Sequence, residues 1–554
     1  MWRPVGLVLT CAVAAGCATT EFSNPTQSFI GTDEPFASEA VYFLLTDRFV
    51  DGDPSNNYPT QGGDYKTFDR PIVNPEGQSA NIGYLGGDFQ GVLDHLDYIQ
   101  SMGFSYVWLT PIVDNPDEAF SGGAAVGEGF PADKGKTGYH GYWGVNFFVE
   151  DEHLVSDGLD FERFASVLDD HGVGFVLDIV CNHGSPSFSM PSDQPKFGEL
   201  YDADGRLVAD HMNLTQDLLR DDEPLHAFFN QKPDIGQLSD LNENNPDVLD
   251  YFVRAYSQWI DRGADALRID TIKHMPDPYW AKFSEEMRKR YPGLFMFAES
   301  YSFEATEIAR HTYPENGGIS VLDFPLQRAM SEVFGRQQLG FERLASALHL
   351  DDQLYQNPYE LMSFYDNHDM ARLDADENGF IDANHWLFTA RGIPVVYYGS
   401  ESAFRAGRAE HGGNRDYFGA ERIEAAKQGA IYARLQRIAE LRASLPALQR
   451  GLQFNIELSA NRAAFLRVLE HGDVTQSALV LLNKGDEPEQ FEVDRWLSDG
   501  TWRNGFTTER RIVGDGTTQF EVEPHDVAVW VFEDRTNNLR LVRELERLQS
   551  LAER

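Results

Sequence analysis

Basic residues are scarce in this 554-residue sequence. Lys and Arg number 46 against 88 Asp and Glu, so the formal net charge is −42. A surface this acidic repels phosphate backbones and anionic lipids, which argues against nucleic acid and anionic membranes as partners. The carboxylate excess also suits a protein that stays hydrated in concentrated salt, and a simple gain in solubility is the alternative explanation.

Cysteine is scarcer still, with three in all. Cys11 and Cys17 lie in an apolar N-terminal segment, and only Cys181 lies in the body of the chain. No internal disulfide is therefore expected there. Because Cys181 follows an apolar run, we expect a buried thiol that packs like a small hydrophobic residue.

Long hydrophobic runs are also missing, since none after the N-terminal leader reaches the roughly 20 residues of a membrane-spanning helix. The leader, residues 1–17, holds the short apolar stretch Val5–Ala15 and is typical of a secretory signal. Its end, Ala14-Ala15-Gly16-Cys17, resembles a bacterial lipobox, which would place a lipid anchor at Cys17; ordinary cleavage nearby is the alternative. We expect an exported bacterial protein, periplasmic, outer-membrane-anchored or extracellular, with a tether over residues 18–38.

Eight short apolar runs recur with helical segments between most of them. Runs without alternation suit strands buried on both faces, as in a parallel sheet. Eight such strands alternating with helices predict an α/β fold, the (β/α)₈ TIM barrel, while an open doubly wound sheet is the alternative that periodicity leaves. The predicted strands are Val41–Leu45, Tyr106–Leu109, Gly174–Val180, Ala266–Ile269, Leu294–Ala298, Ile319–Leu322, Leu361–Tyr365 and Pro394–Tyr398.

Three further regions complete the predicted organisation. Residues 184–243 have little periodicity and read as an irregular domain inserted after the third strand, so the barrel comprises residues 39–183 and 244–444. Residues 445–535 hold short strands separated by turns, which predicts an antiparallel β-sandwich. Residues 536–554 form a helical pattern whose apolar stripe we expect to dock on the protein itself.

Polar side chains that carry chemistry follow four of the predicted strands. The strands run into Asp178–His183, Arg268–Asp270, Phe297–Glu299 and Phe364–Asp369. In a TIM barrel the C-terminal strand ends meet at one face, where active sites lie. One such carboxylate alone is more often a helix cap or a solvated loop residue, but four strand ends together indicate an active site.

These four segments closely resemble the signature regions of the α-amylase family, glycoside hydrolase family 13. The resemblance runs from about residue 39 to residue 535, and the inserted domain is similar to that of the branch containing cyclodextrin glucanotransferases and maltogenic amylases. It implies a retaining glycoside hydrolase that cleaves α-1,4-glucosidic bonds in starch, glycogen or maltooligosaccharides by double displacement. We expect the enzyme to act as a monomer.

The resemblance assigns a role to each of three carboxylates. Asp270 would be the nucleophile, Glu299 the general acid and base, and Asp369 the stabiliser of the transition state. Arg268 stands two residues before Asp270 on one strand, so its side chain points to the same side and should keep that carboxylate ionised. Glu299 must be protonated near neutral pH, so its pKa should be raised by burial and neighbouring negative charge.

The same resemblance implies contacts with the sugar. His183 and His368 would hydrogen-bond the residue at the cleavage site, and Tyr142 would stack on it. Lys273 and His274 would border the leaving-group side. The remaining predicted substrate-binding residues are His140, Trp143, Asp178 and Arg268.

Two calcium sites are also implied by the resemblance. One would join the barrel to the inserted domain through Asn182, Asp240 and the His274 carbonyl. The other would lie after the first strand, where oxygen ligands crowd a turn in a way that suits Ca²⁺; a metal-free turn rich in Asp and Asn is the alternative. The ligands predicted for this second site are Asp51, Asp53, Asn56, Asn57, Gly86 and Asp88.

Three activities remain open at this point. Cyclising relatives carry a central aromatic residue four positions before the equivalent of Asp240, where this chain has Gly236, and the sequence ends after one β-domain. Both features favour hydrolysis over transglycosylation. A non-catalytic glucan-binding protein is the third alternative, and the presence of all three carboxylates argues against it.

Overall fold

The computed structural model describes residues 28–73, 79–122, 134–188, 196–232, 234–409, 413–514 and 518–552. The predicted leader and Cys17 lie outside these residues. Within them, no helix combines the length and apolarity needed to cross a membrane.

Eight parallel strands form the barrel, in the order β6-β5-β4-β3-β2-β1-β8-β7. A parallel bridge between Leu322 and Met362 joins β6 to β7 and closes it. The predicted TIM barrel is confirmed, and every predicted strand overlaps one of these. The strands are β1 (Val41–Leu44), β2 (Tyr106–Leu109), β3 (Gly174–Ile179), β4 (Ala266–Ile269), β5 (Phe295–Ala298), β6 (Ser320–Val321), β7 (Met362–Ser363) and β8 (Ile393–Tyr397).

Helices surround the barrel and begin at recognisable caps. Asp88 caps one through Gly91 N–H, and Asp160 caps another through Arg163 N–H. The single helix that periodicity predicts over residues 88–102 is divided in two at His95. The helices are Phe89–Asp94, Leu96–Ser101, Phe161–Asp170, Pro246–Asp261, Asp277–Arg290, Ala305–Ala309, Phe324–Phe334, Glu342–Ala345, Glu377–Thr389, Ala420–Ala426, Ala430–Ser444 and Pro446–Arg450.

The inserted region contains short antiparallel pairs. His183–Pro186 pairs with Leu238–Asp240, so the two ends of the insert return to the same place beside β3. A small hairpin is formed by Glu199–Tyr201 and Leu207–Asp210. The loops after β1 and β2 hold two further pairs, Pro71–Val73 with Ser79–Asn81 and Val113–Asp114 with Asn146–Glu150.

The C-terminal domain has a six-stranded antiparallel sheet, ordered β9-β10-β11-β16-β13-β14, and a two-stranded sheet of β12 and β15. Leucines from the large sheet pack against Phe491 and Phe520 from the small one, as predicted for a β-sandwich. Three of the strands, β13 to β15, are too polar for the sequence pattern to reveal. The strands are β9 (Leu452–Ser459), β10 (Arg462–His471), β11 (Val474–Asn483), β12 (Glu489–Glu492), β13 (Gly500–Asn504), β14 (Arg510–Val513), β15 (Gln519–Val522) and β16 (Asp526–Phe532).

The two ends of the described chain meet. Phe29 bridges to Glu470 of β10, and Phe36 stacks on Phe295 at the start of β5 with 4.3 Å between ring centroids. Residues 28–38 are therefore packed structure, and the prediction of a tether there is wrong because their aromatic side chains are buried. The final helix, Leu539–Ala552, buries Leu541, Leu545 and Leu548 on the protein, as predicted for its apolar stripe, and Gln549 accepts a hydrogen bond from Ile30 N–H at 2.8 Å.

Candidate active site

A buried guanidinium organises the C-terminal face of the barrel. Arg268 Nη1 donates to Asp178 Oδ1 at 2.8 Å and to Asp270 Oδ1 at 2.9 Å, while Nη2 donates to Glu299 Oε2 at 2.7 Å. These residues come from the neighbouring strands β3, β4 and β5, whose parallel register places Asp178 beside Arg268. Three predicted site carboxylates thus share one cation that has no exposure to solvent.

The nucleophile candidate sits just before an unusual backbone turn. Thr271 follows Asp270 with φ +50°, a left-handed conformation that a β-branched residue adopts at a cost in energy. This turn lets Ile272 N–H donate to the Glu299 carbonyl at 3.0 Å. The strand ends that carry Asp270 and Glu299 are therefore fixed to each other by backbone as well as by Arg268.

The pKa values of the two central carboxyl groups differ in the way the chemistry requires. Burial raises the pKa of Asp270 to about 6 and that of Glu299 to about 8, and Arg268 opposes both shifts. A hydrogen bond between the two side chains adds to the separation, because it lowers the pKa of Asp270 and raises that of Glu299. Near pH 7 Asp270 is mainly a carboxylate and Glu299 mainly a carboxylic acid.

Asp369 occupies a different electrostatic environment. Burial alone would raise its pKa, but His368 and Arg415 outweigh burial and lower the pKa below its usual value. Arg415 Nη2 donates to Asp369 Oδ1 at 2.7 Å, and Arg415 Nε donates to the His368 carbonyl at 2.9 Å. The Asp369 side chain is 26% exposed, against 8% for Asp270, so an ionised acceptor faces the cleft.

Sequence reasoning missed Arg415. It lies in a loop after β8, and the only signal was a basic residue in an acidic chain, Asn414-Arg415-Asp416. No spacing pattern relates it to Asp369, because the contact joins residues 46 positions apart.

Tyr142 stands over Asp178. Its hydroxyl donates to Asp178 Oδ2 at 2.7 Å, and Trp108 Nε1 donates to the same oxygen at 3.0 Å. The Tyr142 ring lies parallel to the His368 ring, with 5.3 Å between centroids. The structure thus brings together Tyr142, His368 and the carboxylate group, as the sequence predicts.

Two more predicted histidines are buried beside Tyr142. Burial lowers the pKa of His183, like that of His368, to about 3, and lowers that of His140 well below its usual value. Neutral imidazoles can both donate to and accept from sugar hydroxyls. Nδ1 of His183 and Nδ1 of His368 are buried atoms that have no protein partner among the described residues.

Trp143 is buried beside the His140 ring. It is 4% exposed and packs with Phe120 and Phe197 in a small apolar cluster. Its ring meets the edge of His140 at 5.0 Å between centroids. Trp143 therefore supports the His140 ring, and the direct sugar contact predicted for it stays a prediction.

Lys273 and His274 point away from the central carboxylates. Lys273 Nζ donates to the Tyr301 carbonyl at 2.7 Å, next to the segment that follows Glu299. His274 Nδ1 lies 2.8 Å from Asp234 Oδ2, and Asn182 Nδ2 donates to the same oxygen at 3.4 Å. Asp234, which the sequence did not single out, thus joins two residues predicted for the calcium site between barrel and insert.

Asp240 stands in the same acidic neighbourhood. Burial raises the pKa of Asp240 to about 7, and the nearby carboxylates Asp234 and Glu243 contribute to the rise. Asn230 opposes the rise, because its amide donates a hydrogen bond to Asp240 Oδ2 at 2.9 Å. A buried carboxylate with two further carboxylates nearby suits a divalent cation between the two domains.

The loop after β1 offers a second set of oxygens. Three oxygens there, Asp51 Oδ1, Asn56 Oδ1 and Asn57 Oδ1, are buried and receive no hydrogen bond from the described residues. A Cβ atom on Gly86 would lie 2.2 Å from Asn57 Oδ1 and 2.9 Å from Asp51 Oδ2, so these oxygens converge on the glycine backbone. Buried oxygens without donors fit a hard cation.

Asp88 and Asp53 accept hydrogen bonds that shape this loop. The oxygens of Asp88 accept from Gly52 N–H, Asp53 N–H, Gly91 N–H and the Asn56 amide. Asp53 accepts from the Ser55 N–H and hydroxyl. Each oxygen of Asp88 takes two donors, which shapes the loop, and the roles predicted for Asp88 and Asp53 as calcium ligands stay predictions.

One acidic cluster was not predicted as a metal site. Asp114, Asp117 and Glu152 lie close enough to share an ion, but Lys196 Nζ lies 2.7 Å from Asp117 Oδ2. Burial raises the pKa of Asp114 to about 8 and that of Glu152 to about 7. The Lys196 ammonium group supplies positive charge to this cluster, so the cluster is accounted for without a metal ion.

Comparison with known proteins places the chain in a family. The model of the α-amylase catalytic domain matches residues 43–429. The chain belongs to the α-amylase family. It is 28% identical to the cyclomaltodextrin glucanotransferase of Klebsiella oxytoca, over 86% of this chain and 75% of that protein. A cyclomaltodextrin glucanotransferase of Bacillus sp. (strain 38-2) is 30% identical over 76% of this chain but 56% of its own length.

Solved structures of this α-amylase family show the same architecture. An Anoxybacillus α-amylase has a TM-score of 0.68 at 26% identity and covers 91% of this chain and 99% of its own. A cyclomaltodextrin glucanotransferase described as having a three-domain ABC distribution has a TM-score of 0.71 at 28% identity, covering 89% and 99%. The end of the chain after one β-domain therefore does not distinguish hydrolysis from cyclisation, which corrects that part of the sequence argument. The protein is an enzyme of the glycoside hydrolase type.

Proposed function

We propose that the protein hydrolyses α-1,4-glucosidic bonds in starch, glycogen or maltooligosaccharides with retention of anomeric configuration. The observation that carries this proposal is the shared hydrogen bonding of Asp270 and Glu299 to Arg268, with the pKa of Glu299 above that of Asp270. An ionised nucleophile beside a protonated acid is the pair that double displacement needs.

The mechanism follows from these protonation states. Asp270 attacks the anomeric carbon while Glu299 gives its proton to the departing glycosidic oxygen, which leaves a glycosyl ester on Asp270. Glu299, now a carboxylate, takes a proton from water as the water attacks the anomeric carbon, which breaks the bond from that carbon to Asp270 and restores both side chains. Asp369, ionised under the influence of Arg415, accepts hydrogen bonds from sugar hydroxyls during both steps.

Retention is supported by the closeness of the two carboxyl groups. Asp270 and Glu299 bond to adjacent nitrogens of one guanidinium and lie within hydrogen-bonding reach of each other. An inverting pair stands about 6.5–9.5 Å apart to admit a water molecule between acid and base.

Activity should follow a bell-shaped pH profile. The reaction needs Asp270 ionised, which holds above about pH 6, and Glu299 protonated, which holds below about pH 8. We expect kcat/KM for maltoheptaose to be greatest near pH 7 and to fall on both sides, since its limbs report the free enzyme. A profile still rising at pH 9 would contradict the assignment of Glu299 as the acid.

Transglycosylation is the second candidate, favoured by the similarity to two cyclomaltodextrin glucanotransferases. Hydrolysis is favoured by Gly236, which is exposed with φ +53° and would place no side chain in the cleft around which a glucan could curl. The left-handed backbone there disfavours a bulky residue.

Product analysis separates the two reactions. Purified enzyme is incubated with soluble starch and with maltoheptaose, with and without added glucose as acceptor. Linear shorter maltooligosaccharides whose pattern is unchanged by glucose support hydrolysis. Cyclic products, or products longer than the substrate, would make the enzyme a transferase, and no cleavage at all would favour a glucan-binding protein.

We also propose that calcium stabilises the fold at the loop after β1, where Asp51, Asn56 and Asn57 offer buried oxygens and Gly86 its carbonyl. A second ion would lie between barrel and insert, near Asn182, Asp234, Asp240 and His274. When bound, the cation would neutralise these carboxylates and hold the loops that border the cleft.

Removing calcium should lower the melting temperature by about 2–5 °C, the effect expected of a ligand at about a hundred times its Kd on a chain of this size. Thermal unfolding is followed with EDTA and with 2 mM CaCl₂. Asn57→Ala should reduce the shift, while Asn378→Ala, at an exposed position on a barrel helix, should retain it in full. An equal shift in wild type and Asn57→Ala would exclude the loop after β1 as a site.

The N-terminal segment supports a further proposal, that the protein is exported and carries a lipid at Cys17. Expression in the presence of radiolabelled palmitate, with Cys17→Ser as the control, tests it. Label on the wild type alone supports the anchor, and label on neither supports ordinary signal cleavage.

A further inference from the structure

A second chain of polar contacts begins at the residue that follows Glu299. Ser300 follows Glu299 directly and is 1% exposed. Its hydroxyl lies 3.3 Å from Nε2 of His311, which is itself fully buried. This buried polar contact, on the residue next to the general acid, has no part in the double displacement itself.

His311 connects this hydroxyl to a carboxylate. Its Nδ1 lies 3.6 Å from Asp277 Oδ1, and neither atom has another protein partner among the described residues. The other oxygen of Asp277 accepts from Arg310 Nη1 at 2.9 Å. Asp277 begins the helix after β4, and His311 lies in a turn between β5 and β6, so the chain of contacts ties two loops to the end of β5.

The protonation of this chain follows from its partners. Burial, with the nearby Arg310, lowers the pKa of His311 to about 3, so the ring is neutral and carries one N–H. The tautomer with its hydrogen on Nδ1 turns that N–H toward Asp277 Oδ1, 3.6 Å away. Nε2 is then an acceptor, and the Ser300 hydroxyl must donate to it.

The segment after β5 is held from the other side as well. Ile272 N–H donates to the Glu299 carbonyl at 3.0 Å, and Lys273 Nζ donates to the Tyr301 carbonyl at 2.7 Å. The Ser300 side chain lies between these two fixed carbonyls and adds a further point at which the backbone is held. The Glu299 carboxyl group is oriented by that backbone together with its hydrogen bonds to Arg268 and Asp270.

We propose that Asp277, His311 and Ser300 form a positioning chain that orients Glu299 for proton donation to the leaving group. The three residues do not touch substrate, so they act through Glu299, and the inference rests on the proposed role of Glu299 as the general acid. A displacement of about 1 Å in such a group can cost up to about 100-fold in rate.

A leaving-group comparison isolates this role. Cleavage of maltoheptaose needs a proton on the departing sugar oxygen, whereas α-maltotriosyl fluoride releases fluoride, which needs little protonation. A variant that misorients Glu299 therefore loses rate selectively on maltoheptaose. General loss of structure lowers both rates together.

The experiment uses the full-length enzyme, with Ser300→Ala as the test and Ser302→Ala, whose hydroxyl bonds Glu307 instead, as the matched control. We expect Ser300→Ala to lower kcat/KM for maltoheptaose by about tenfold, with kcat/KM for the fluoride within about twofold of wild type, because kcat/KM reports the step in which the leaving group departs. Ser302→Ala should match wild type on both substrates. Equal losses on both substrates, or no loss on either, would overturn the proposal.

A second variant tests the same contact from the other residue, His311. His311→Phe keeps an aromatic ring and removes the hydrogen bond to Ser300 and the polar contact with Asp277. It should show the same selectivity at least as strongly, in protein whose thermal unfolding is measured alongside. A wild-type enzyme that cleaves neither substrate would overturn the proposed function and the positioning chain together. A wild type active on both, with unselective variants, would overturn the positioning chain alone.

Discussion

Replacing Asp270 by Asn lowers kcat for maltoheptaose by about 10⁴-fold or more, because the amide has the shape of the carboxylate without its nucleophilic charge. The hydrogen bond from Arg268 can be kept by the amide oxygen, so the fold should survive. Initial rates of reducing-sugar release, measured at pH 7, give the ratio.

The control for this variant is Asp265→Asn, at the other end of β4, where Asp265 accepts from Phe175 N–H. It changes the same functional group on the same strand but on the opposite face of the barrel, and kcat should stay within about threefold of wild type. Asp270→Asn retaining more than a tenth of wild-type activity would refute the assignment of the nucleophile.

Replacing Arg268 by Gln should lower both the activity and the free energy of unfolding. Three buried carboxyl groups, on Asp178, Asp270 and Glu299, lose the cation they share. Leaving buried charge unpaired costs about 3–5 kcal/mol in the free energy of unfolding. Urea unfolding at pH 7 measures that loss, and activity in the remaining folded protein should fall by at least about 100-fold.

Arg391→Gln provides the comparison. Arg391 is equally buried and pairs with Asp323 at 2.6 Å, but none of its hydrogen bonds reaches the three catalytic carboxylates. It should lose stability while the folded fraction keeps near wild-type kcat. If Arg268→Gln unfolded at the same urea concentration as wild type, the shared guanidinium would not be what holds the site together.

The barrel is the part of the fold that sequence predicts best. Its strands are buried on both faces, so they appear as short unbroken apolar runs, and four of them are followed by polar residues of the site. Asp270 and Glu299 are found this way because position at a strand end is a local property. By contrast, β13 to β15 carry arginine, threonine and glutamine on an exposed face, which hides them from the same test.

What sequence could not predict is contact between distant segments. Arg415 reaches Asp369 from the loop after β8, and Asp234 reaches His274 from the inserted domain. The packing of Phe36 on Phe295 converts a stretch with the composition of a linker into structure. In each case the decisive interaction depends on the folded arrangement of the barrel, which no local pattern contains.

The most direct test of double displacement is the configuration of the first sugar released. ¹H NMR of the anomeric protons, recorded during the first minutes of maltoheptaose cleavage and before mutarotation, reports it. We expect the α-anomer, because Asp270 and Glu299 are close enough for double displacement. Initial release of the β-anomer would show that water attacks directly, and it would contradict the assignment of Asp270 as the nucleophile.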